Sequence, residues 1–227
     1  QMSSTDALSN TTSYTNYVNG SGQTVKTTTY PNASTRIETY NRDGSVASVT
    51  GTAVHGIRND YGVESEGGAQ RAFAKGIKLL DNGSDSSEWM KSYTDFAGRT
   101  YKTVYPDGAS STTSYNLAGQ AVKQTDPDGV TTLSLYNNLG ELEYSAVDLD
   151  ANGAIDFTGT DRITQTVRDA VYIDSVNVVR TRTWAWQTNS SAVSNLLSET
   201  RVLTNGLRTW TILSSLLTNH SHTVFSG

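Results

Sequence analysis

A repeat of proline, tyrosine and glycine at fixed spacing limits the folds open to this chain more than any other feature. In three segments a proline precedes a tyrosine by nine residues, and a glycine follows that tyrosine by four. The three sets are Pro31, Tyr40 and Gly44; Pro106, Tyr115 and Gly119; and Pro127, Tyr136 and Gly140. Tyr93, Tyr115 and Tyr136 are spaced by 22 and 21 residues. Agreement between three residue types predicts a repeated structural unit.

Each unit alternates reversals with strand-like segments. The sequence Pro-Asp-Gly occurs twice, ending at Gly108 and at Gly129. It predicts a tight turn because proline fixes φ and glycine accepts a positive φ. About six strand-favouring residues follow, as in residues 130–135. Tyr-Asn-x-x-Gly then predicts a second reversal, and another short strand follows, as in residues 120–125. Consecutive units should therefore form an all-β antiparallel meander.

The two faces of these strands differ little in polarity. Residues 131, 133 and 135 are Thr, Leu and Leu, and the alternate positions carry Val, Thr, Ser and Tyr. Only 35% of the chain is hydrophobic, which is poor for a thick core. We therefore expect a single curved sheet with a partly wet interior face, in which Tyr40, Tyr115 and Tyr136 stack across neighbouring strands.

The repeat pattern varies along the chain and suggests five segments. They are repeat-like residues 1–50, a degenerate repeat or insertion at 51–92, clear repeats at 93–147, a loop at 148–161, and further hairpins of the same sheet at 162–227. Residues 70–80 fit either a strand or a short helix. Asn205-Gly206, between two strand-like runs, is a strong hairpin signal.

Three phrases resemble the YD repeats of Rhs proteins. They are Tyr-Thr-Asp-Phe-Ala-Gly-Arg at 93–99, Tyr-Pro-Asp-Gly at 105–108 and Tyr-Asn-Leu-Ala-Gly-Gln at 115–120. The resemblance covers residues 93–145 and extends to 14–50. Tc-toxin cocoon components and teneurins carry the same repeats. The resemblance implies a spiralling β-sheet that closes as a hollow shell, which encloses a toxic domain in the toxins and is an extracellular barrel in teneurins.

This chain departs from the toxin members of that family. It lacks the Rhs core segment with its autoproteolytic aspartates, and it has no recognisable effector domain. Both ends look like cuts through a longer sequence. The resemblance thus implies a wall segment of a larger secreted or bacterial surface protein, whose partners would be the rest of that protein or identical subunits.

The segment from Asp148 to Asp156 matches the first part of a calcium-binding loop. The candidate ligands are Asp148, Asp150, Asn152, Ala154 through its carbonyl, Asp156, and Asp161. Position 12 of the motif, normally a bidentate glutamate, is Gly159, and Asp161 is a candidate replacement. Strand-like flanks exclude a helix-loop-helix hand. Two interpretations stay open, a weak calcium site and a polar hairpin loop that binds nothing.

Arginine and tryptophan alternate on two strand-like runs. Arg180, Arg182, Trp184 and Trp186 share one strand face, and so do Arg208 and Trp210. Such a face is a candidate platform for a glycan or a protein. The alternative is a cation–π ladder between neighbouring strands. His220 and His222 also share a face, but two imidazoles do not make a metal site.

Charge and composition exclude several function classes. The net charge is -5 without a basic patch, so nucleic acid is not an expected partner. No cysteine is present, and no apolar stretch has the length of a membrane span. No nucleophile elbow or phosphate loop occurs. We expect a structural wall without catalysis, with an adhesive or fibre-forming binding module as the alternative and a glycan-acting enzyme as the third hypothesis.

Overall fold

The computed structural model describes residues 2–186, 193–206, 208–213 and 217–224, with position 213 and the last of these ranges described by backbone only. Every regular element in these residues is a β-strand, and none is a helix. Paired strands run antiparallel and are consecutive along the chain. The predicted all-β antiparallel meander is confirmed.

The chain divides into two compact units, Gln1–Ser110 and Ser111–Gly227. The strands of the first unit are rich in Thr and Val, which favour extended backbone. They are β1 (Met2–Thr5), β2 (Thr11–Val18), β3 (Thr24–Thr29), β4 (Thr35–Tyr40), β5 (Val46–Thr50), β6 (Ile57–Glu66), β7 (Ala69–Leu79), β8 (Asp85–Thr94) and β9 (Thr100–Val104). Residues 70–79 thus lie in a strand, which settles the alternative that their sequence left open.

The second unit has short strands followed by longer ones. They are β10 (Ser110–Tyr115, beginning one residue before the unit boundary), β11 (Ala121–Thr125), β12 (Thr131–Tyr136), β13 (Leu142–Asp148), β14 (Arg162–Ile173), β15 (Val176–Trp186), β16 (Ser194–Leu203), β17 (Arg208–Leu213) and β18 (Leu217–Val224). Within each unit the strands in contact are neighbours in sequence. Each unit is therefore a quasi-one-dimensional array of hairpins.

Ten reversals share one backbone geometry, which we call the repeat turn. The N–H of its fourth residue donates to the carbonyl of its first, and the first N–H donates to the fifth carbonyl, all at 2.8–3.0 Å. Their first residues are Asp6, Asn19, Tyr30, Asn41, Leu80, Asp95, Tyr105, Asn116, Asp126 and Asn137. This pattern is a type I turn closed by a bulge residue in left-handed conformation.

The fourth residue of every repeat turn has a positive φ, between 63° and 87°. Eight of the ten are glycine, and Ser9 and Ala33 are the exceptions. Glycine is favoured because it has no Cβ to oppose this conformation. The recurrent glycines of the sequence repeat therefore mark the points at which the chain reverses.

An Asn or Asp side chain caps each repeat turn. The N–H of the fifth residue donates to an Asn or Asp oxygen, which belongs either to the first residue, as in Asn116, or to the third, as in Asp107. The same bond occurs in the other eight turns. Pro-Asp-Gly and Asn-x-x-Gly are thus one kind of turn with two cap positions, and the 21-residue repeat contains two equivalent halves.

Tyr40, Tyr115 and Tyr136 occupy equivalent positions. Each is the last residue of its strand, directly precedes a repeat turn, and lies at a shift in the strand register. The Tyr136 hydroxyl donates to the carbonyl of Ala121 at 2.9 Å. The Lys26 ammonium lies 4.6 Å from the centre of the Tyr40 ring. The expected common position of the three tyrosines is therefore observed.

Side-chain amides link turns that lie two strands apart. In the first unit Gln23 donates through Nε2 to Oδ1 of Asn41 at 2.9 Å. In the second unit Gln120 donates through Nε2 to the carbonyl of Gly140, also at 2.9 Å. Each glutamine is the fifth residue of one repeat turn and reaches the next turn on the same rim. These amide rungs connect neighbouring repeats outside the strand ladder.

A polar and aromatic lattice covers one face of β7 and β8. Glu64 accepts hydrogen bonds at 2.5 Å from both the Lys91 ammonium and the Tyr93 hydroxyl. The Lys91 ammonium also lies 4.1 Å from the centre of the Phe73 ring. Tyr93 is 7% exposed and Ile77 is 4% exposed. The long side chains of this face shield it in the absence of a described second sheet.

Replacing Gly108 by alanine should destabilise the protein by about 1 kcal/mol, because φ is +87° there. Nothing lies within 4 Å of an added Cβ, so backbone strain is the main cost. Gly20→Ala is the control, since Gly20 has equal space but no positive φ. Ala33→Gly, at φ 63°, should stabilise by about 0.5 kcal/mol. Urea unfolding measures all three, and equal effects of Gly108→Ala and Gly20→Ala would contradict the turn assignment.

Stability should fall steeply between pH 10 and 12. The hydrogen bond to Glu64 raises the pKa of Tyr93 from 10.0 to about 12, and burial together with Glu66 does the same for Tyr101. A raised folded-state pKa contributes stability that is present below pH 10 and lost as pH rises through 12.

The expected loss from Tyr93 is on the order of 2 kcal/mol, measured by unfolding at each pH with tyrosinate absorbance in parallel. Tyr93→Phe should remove its share of the loss. Tyr172→Phe, at a side chain that is 70% exposed, should leave the pH profile unchanged. A profile that is the same for wild type and Tyr93→Phe would show that this hydrogen bond has no part in stability.

Candidate metal centre and Arg/Trp face

The loop between β13 and β14 folds back onto the sheet. It leaves the sheet after Asp148 and returns at Arg162. Ile155 and Phe157 of this loop pack against a small core made of Leu133, Ala146 and Ile163, which are 5%, 1% and 2% exposed. The core residues are opposite one another on β12, β13 and β14. The loop is thus anchored by two hydrophobic side chains and is not a free polar turn.

Three aromatic rings complete this anchor. Phe157 contacts Tyr144 and Trp186 edge-on, with ring centres 5.2 and 5.4 Å apart, and Tyr144 lies 5.7 Å from Trp186. Edge-to-face pairs of this kind add about 1 kcal/mol each to the burial of the rings. The ring of Trp186 is therefore half-buried and packs against two other rings of this anchor.

Asp148, Asp150 and Asp161 come together at the base of the loop. One carboxylate oxygen from each lies within 4.8 Å of the other two. Asp148 is 7% exposed and Asp161 is 1% exposed, whereas Asp150 faces solvent. Oxygen ligands of this kind suit a hard cation such as calcium.

Backbone N–H groups hold the two buried carboxylates in place. Asp161 accepts from the N–H of Leu149 and of Asp156, both at 3.0 Å. Asp148 accepts from the N–H of Asn152 at 3.2 Å and of Gly153 at 3.0 Å. These bonds fix the carboxylates before any ion binds, and each oxygen keeps further lone pairs for a cation.

The side chains of two other predicted ligands accept hydrogen bonds from residues of the loop itself. Oδ1 of Asp156 accepts at 3.0 Å from both the N–H and the hydroxyl of Thr158. A Cβ at position 159 would lie 2.4 Å from Oδ2 of Asp156, so a larger residue there would require the Asp156 side chain to shift. Oδ1 of Asn152 accepts from the N–H of Ala154 at 2.8 Å. Three of the predicted side chains therefore converge, and Asp161, not position 12, completes the set.

The loop fits a cation on chemical grounds. Three carboxylates this close repel one another, and a divalent ion coordinated by their oxygens relieves the repulsion. A lysine lies nearby, since a Cβ at Gly153 would be 3.6 Å from Nζ of Lys123. One ammonium group at the side of the loop balances only part of three negative charges.

The arginines of β15 are tied to an aspartate on β14. Arg180 bonds Asp169 through Nε at 3.0 Å and Nη2 at 2.6 Å, and Arg182 reaches the same carboxylate at 3.1 Å. The Arg180 guanidinium holds the pKa of Asp169 below its usual value. The cation–π contacts found among the described residues involve other side chains. An ionic ladder thus occupies the place where the sequence suggested arginine–tryptophan stacking.

The remaining members of the predicted Arg/Trp face lie further along the same side of the sheet. Trp184 is half-buried on β15, and Trp210 is half-buried on β17 opposite Arg201. Arg208 begins β17 and is exposed. The side chains of His220 and His222 lie outside the described residues. Sequence patterns place the arginines and tryptophans on one face, but the fold divides them between packing and solvent.

Several residues of these sites were not identified from the sequence. Asp169 pairs with Arg180 across strands, Glu199 pairs with Arg201 on its own strand, and Ile155 and Phe157 anchor the loop. Each acidic residue lies among the mixed polar and apolar residues of a long strand, a pattern that does not single it out in the sequence. In the loop, the presence of the apolar residues Ile155 and Phe157 within an acidic segment could have indicated that the loop packs against the sheet.

A scan of protein-family models finds no match to this chain, and a search of curated proteins finds none either. The likeness to YD repeats therefore rests on the sequence motifs alone. Among the described residues there is no helix with the length and hydropathy needed to cross a lipid bilayer.

Proposed function

We propose that this chain is a structural wall segment of a large secreted or surface protein of the YD/Rhs-repeat kind, without catalysis of its own. The observation that carries the proposal is the set of ten equivalent repeat turns. They join strands that contact their sequence neighbours, so each added repeat extends a unit without rearranging it. Such an array provides surface and length, which are the properties a wall requires.

The alternative is an adhesive or fibre-forming module that binds through the Arg/Trp face. The contacts of this face favour the wall instead. Arg180 and Arg182 are matched by Asp169, and Trp186 is packed against Phe157 and Tyr144. These three side chains are already satisfied within the protein and have little to offer to a glycan or protein ligand.

The proposal also assigns one calcium ion to the Asp148, Asp150 and Asp161 cluster. Two of these carboxylates are buried and fixed by backbone N–H groups, which lowers the cost of ordering the site. Without the bidentate glutamate, we expect a dissociation constant of roughly 0.1 to 1 mM. Extracellular calcium would fill such a site and hold the loop against the sheet.

Duplication of residues 116–136, inserted between Tyr136 and Asn137, tests the wall. This block of 21 residues starts with a repeat turn and ends with a tyrosine, so both new junctions are Tyr-Asn as in the native chain. The enlarged protein should keep its β-sheet circular dichroism per residue and its cooperative unfolding midpoint. A scrambled block of the same length is the control and should lower the midpoint.

Equal damage from the duplicated and scrambled blocks would contradict a modular wall. A second result would also overturn the proposal: hydrolysis of glycans or peptides by pure protein that a single Asp or Glu substitution abolishes. Both measurements use the whole chain.

Calorimetric titration of chelator-treated protein tests the ion. Calcium at tenfold its dissociation constant should raise the free energy of unfolding by about 1.4 kcal/mol. Asp150→Ala should abolish both the heat and the stabilisation. Asp150 faces solvent, and the hydrogen bonds lost with its side chain are the two that it accepts from Asn152. Asp128→Ala is the matched control, since it removes an exposed carboxylate from a neighbouring turn. Asp156→Asn should retain binding.

No heat at millimolar calcium would leave the segment as a polar loop. Loss of binding in Asp156→Asn together with retention in Asp150→Ala would place the ion on a different ligand set.

A further inference from the structure

A shallow depression lies on the face formed by β14 to β17. Its volume is about 400 Å³, within the range of small-molecule sites. The lining consists of six apolar and three charged side chains: Ile173, Val176, Val178, Leu203, Trp210, Ile212, Asp174, Arg201 and Arg208. All of these belong to the second unit, and none takes part in the Asp148 to Asp161 loop.

The strand register explains the apolar floor. Val178 pairs with Val171 on one side and with Leu203 on the other, so three branched side chains lie in a row across the sheet. Val178 is 1% exposed, and the indole of Trp210 lies opposite Arg201 on the next strand. The floor is therefore an apolar surface on which an alkyl or aryl group can pack without leaving a buried polar group unpaired.

The two arginines at the rim of the depression differ in their ion pairs. The Nε of Arg201 bonds at 2.5 Å to Glu199, which is 8% exposed, and Nη1 lies 3.9 Å from Asp174. Arg208 is exposed and forms no ion pair with any described residue. An uncompensated guanidinium thus lies at the edge of an apolar depression.

We propose that this depression binds a small hydrophobic anion, an alkyl or aryl carboxylate, with its apolar part against Val178 and Trp210 and its carboxylate on Arg208. A guanidinium binds a carboxylate through two parallel N–H bonds. A sugar fits less well because the lining has few hydrogen-bonding groups. A second copy of this chain would need a contact area of about 800 Å² per partner, more than a depression of this size provides.

This inference rests on neither the wall nor the calcium loop. A ligand in the depression and a scaffold role for the array are compatible, and the experiment below depends only on residues of β14 to β17.

Titration with octanoate, followed through the tryptophan indole N–H signals in NMR spectra, tests the site. The signal that Trp210→Phe removes should shift saturably with octanoate and much less with 1-octanol, which has the same chain without the charge. Arg208→Gln should weaken octanoate binding about tenfold. Arg168→Gln is the control, since Arg168 is an exposed arginine on the opposite face of β14.

Equal shifts with octanoate and 1-octanol would overturn the proposal, and so would equal weakening by Arg208→Gln and Arg168→Gln. Absence of any saturable shift at Trp210 would do the same. Concentration-dependent dimerisation, detected by sedimentation and unaffected by octanoate, would assign the face to a second copy of the chain instead.

Discussion

The left-handed residue at the fourth position of each repeat turn is the constraint on which this structure depends. It fixes where the chain reverses, and the reversal sets the pairing of the two flanking strands. A slip of one residue would move every side chain to the opposite face. The Asn or Asp cap on the fifth N–H adds a second local determinant. Because both act within five residues, each half-repeat specifies its own hairpin without help from distant parts of the chain.

Locality also explains which parts of the fold the sequence predicts. Glycine, proline and Asn or Asp act on adjacent backbone, so the meander and its reversals follow from the repeat itself. The equivalence of the two halves of the repeat does not follow from the sequence. The cap is the first residue of one turn, Asn116, and the third residue of another, Asp107, so the two turns differ in sequence although they share one geometry. The shared position of Tyr136 and its equivalents is predictable from spacing. Its hydrogen bond to Ala121 is not, since that bond depends on the geometry across strands.

The sites depend on contacts between segments far apart in sequence, and there local patterns fail. Spacing suggested Asp148, Asp150, Asp156 and Asp161 among the ligands. Asp148, Asp150 and Asp161 come together, whereas Asp156 accepts hydrogen bonds from Thr158. Period-two alternation correctly placed Arg180 and Trp186 on one strand, yet could not show that Phe157 folds back onto the indole. Single-layer sheets lack a thick core, so long polar and aromatic side chains shield one face in both units. Such side chains resemble binding residues in sequence, although most of them serve packing.

Pairing between sequence neighbours alone has a mechanical consequence. When a chain of this kind is pulled from its ends, each hairpin opens like a zipper, with its ladder bonds broken one pair at a time, whereas strands loaded in shear must break many together. Each unit should therefore lengthen in small steps of one hairpin under modest tension. The amide rungs from Gln23 to Asn41 and from Gln120 to Gly140 bridge alternate turns, so they would delay the release of a strand until the next turn is also loaded.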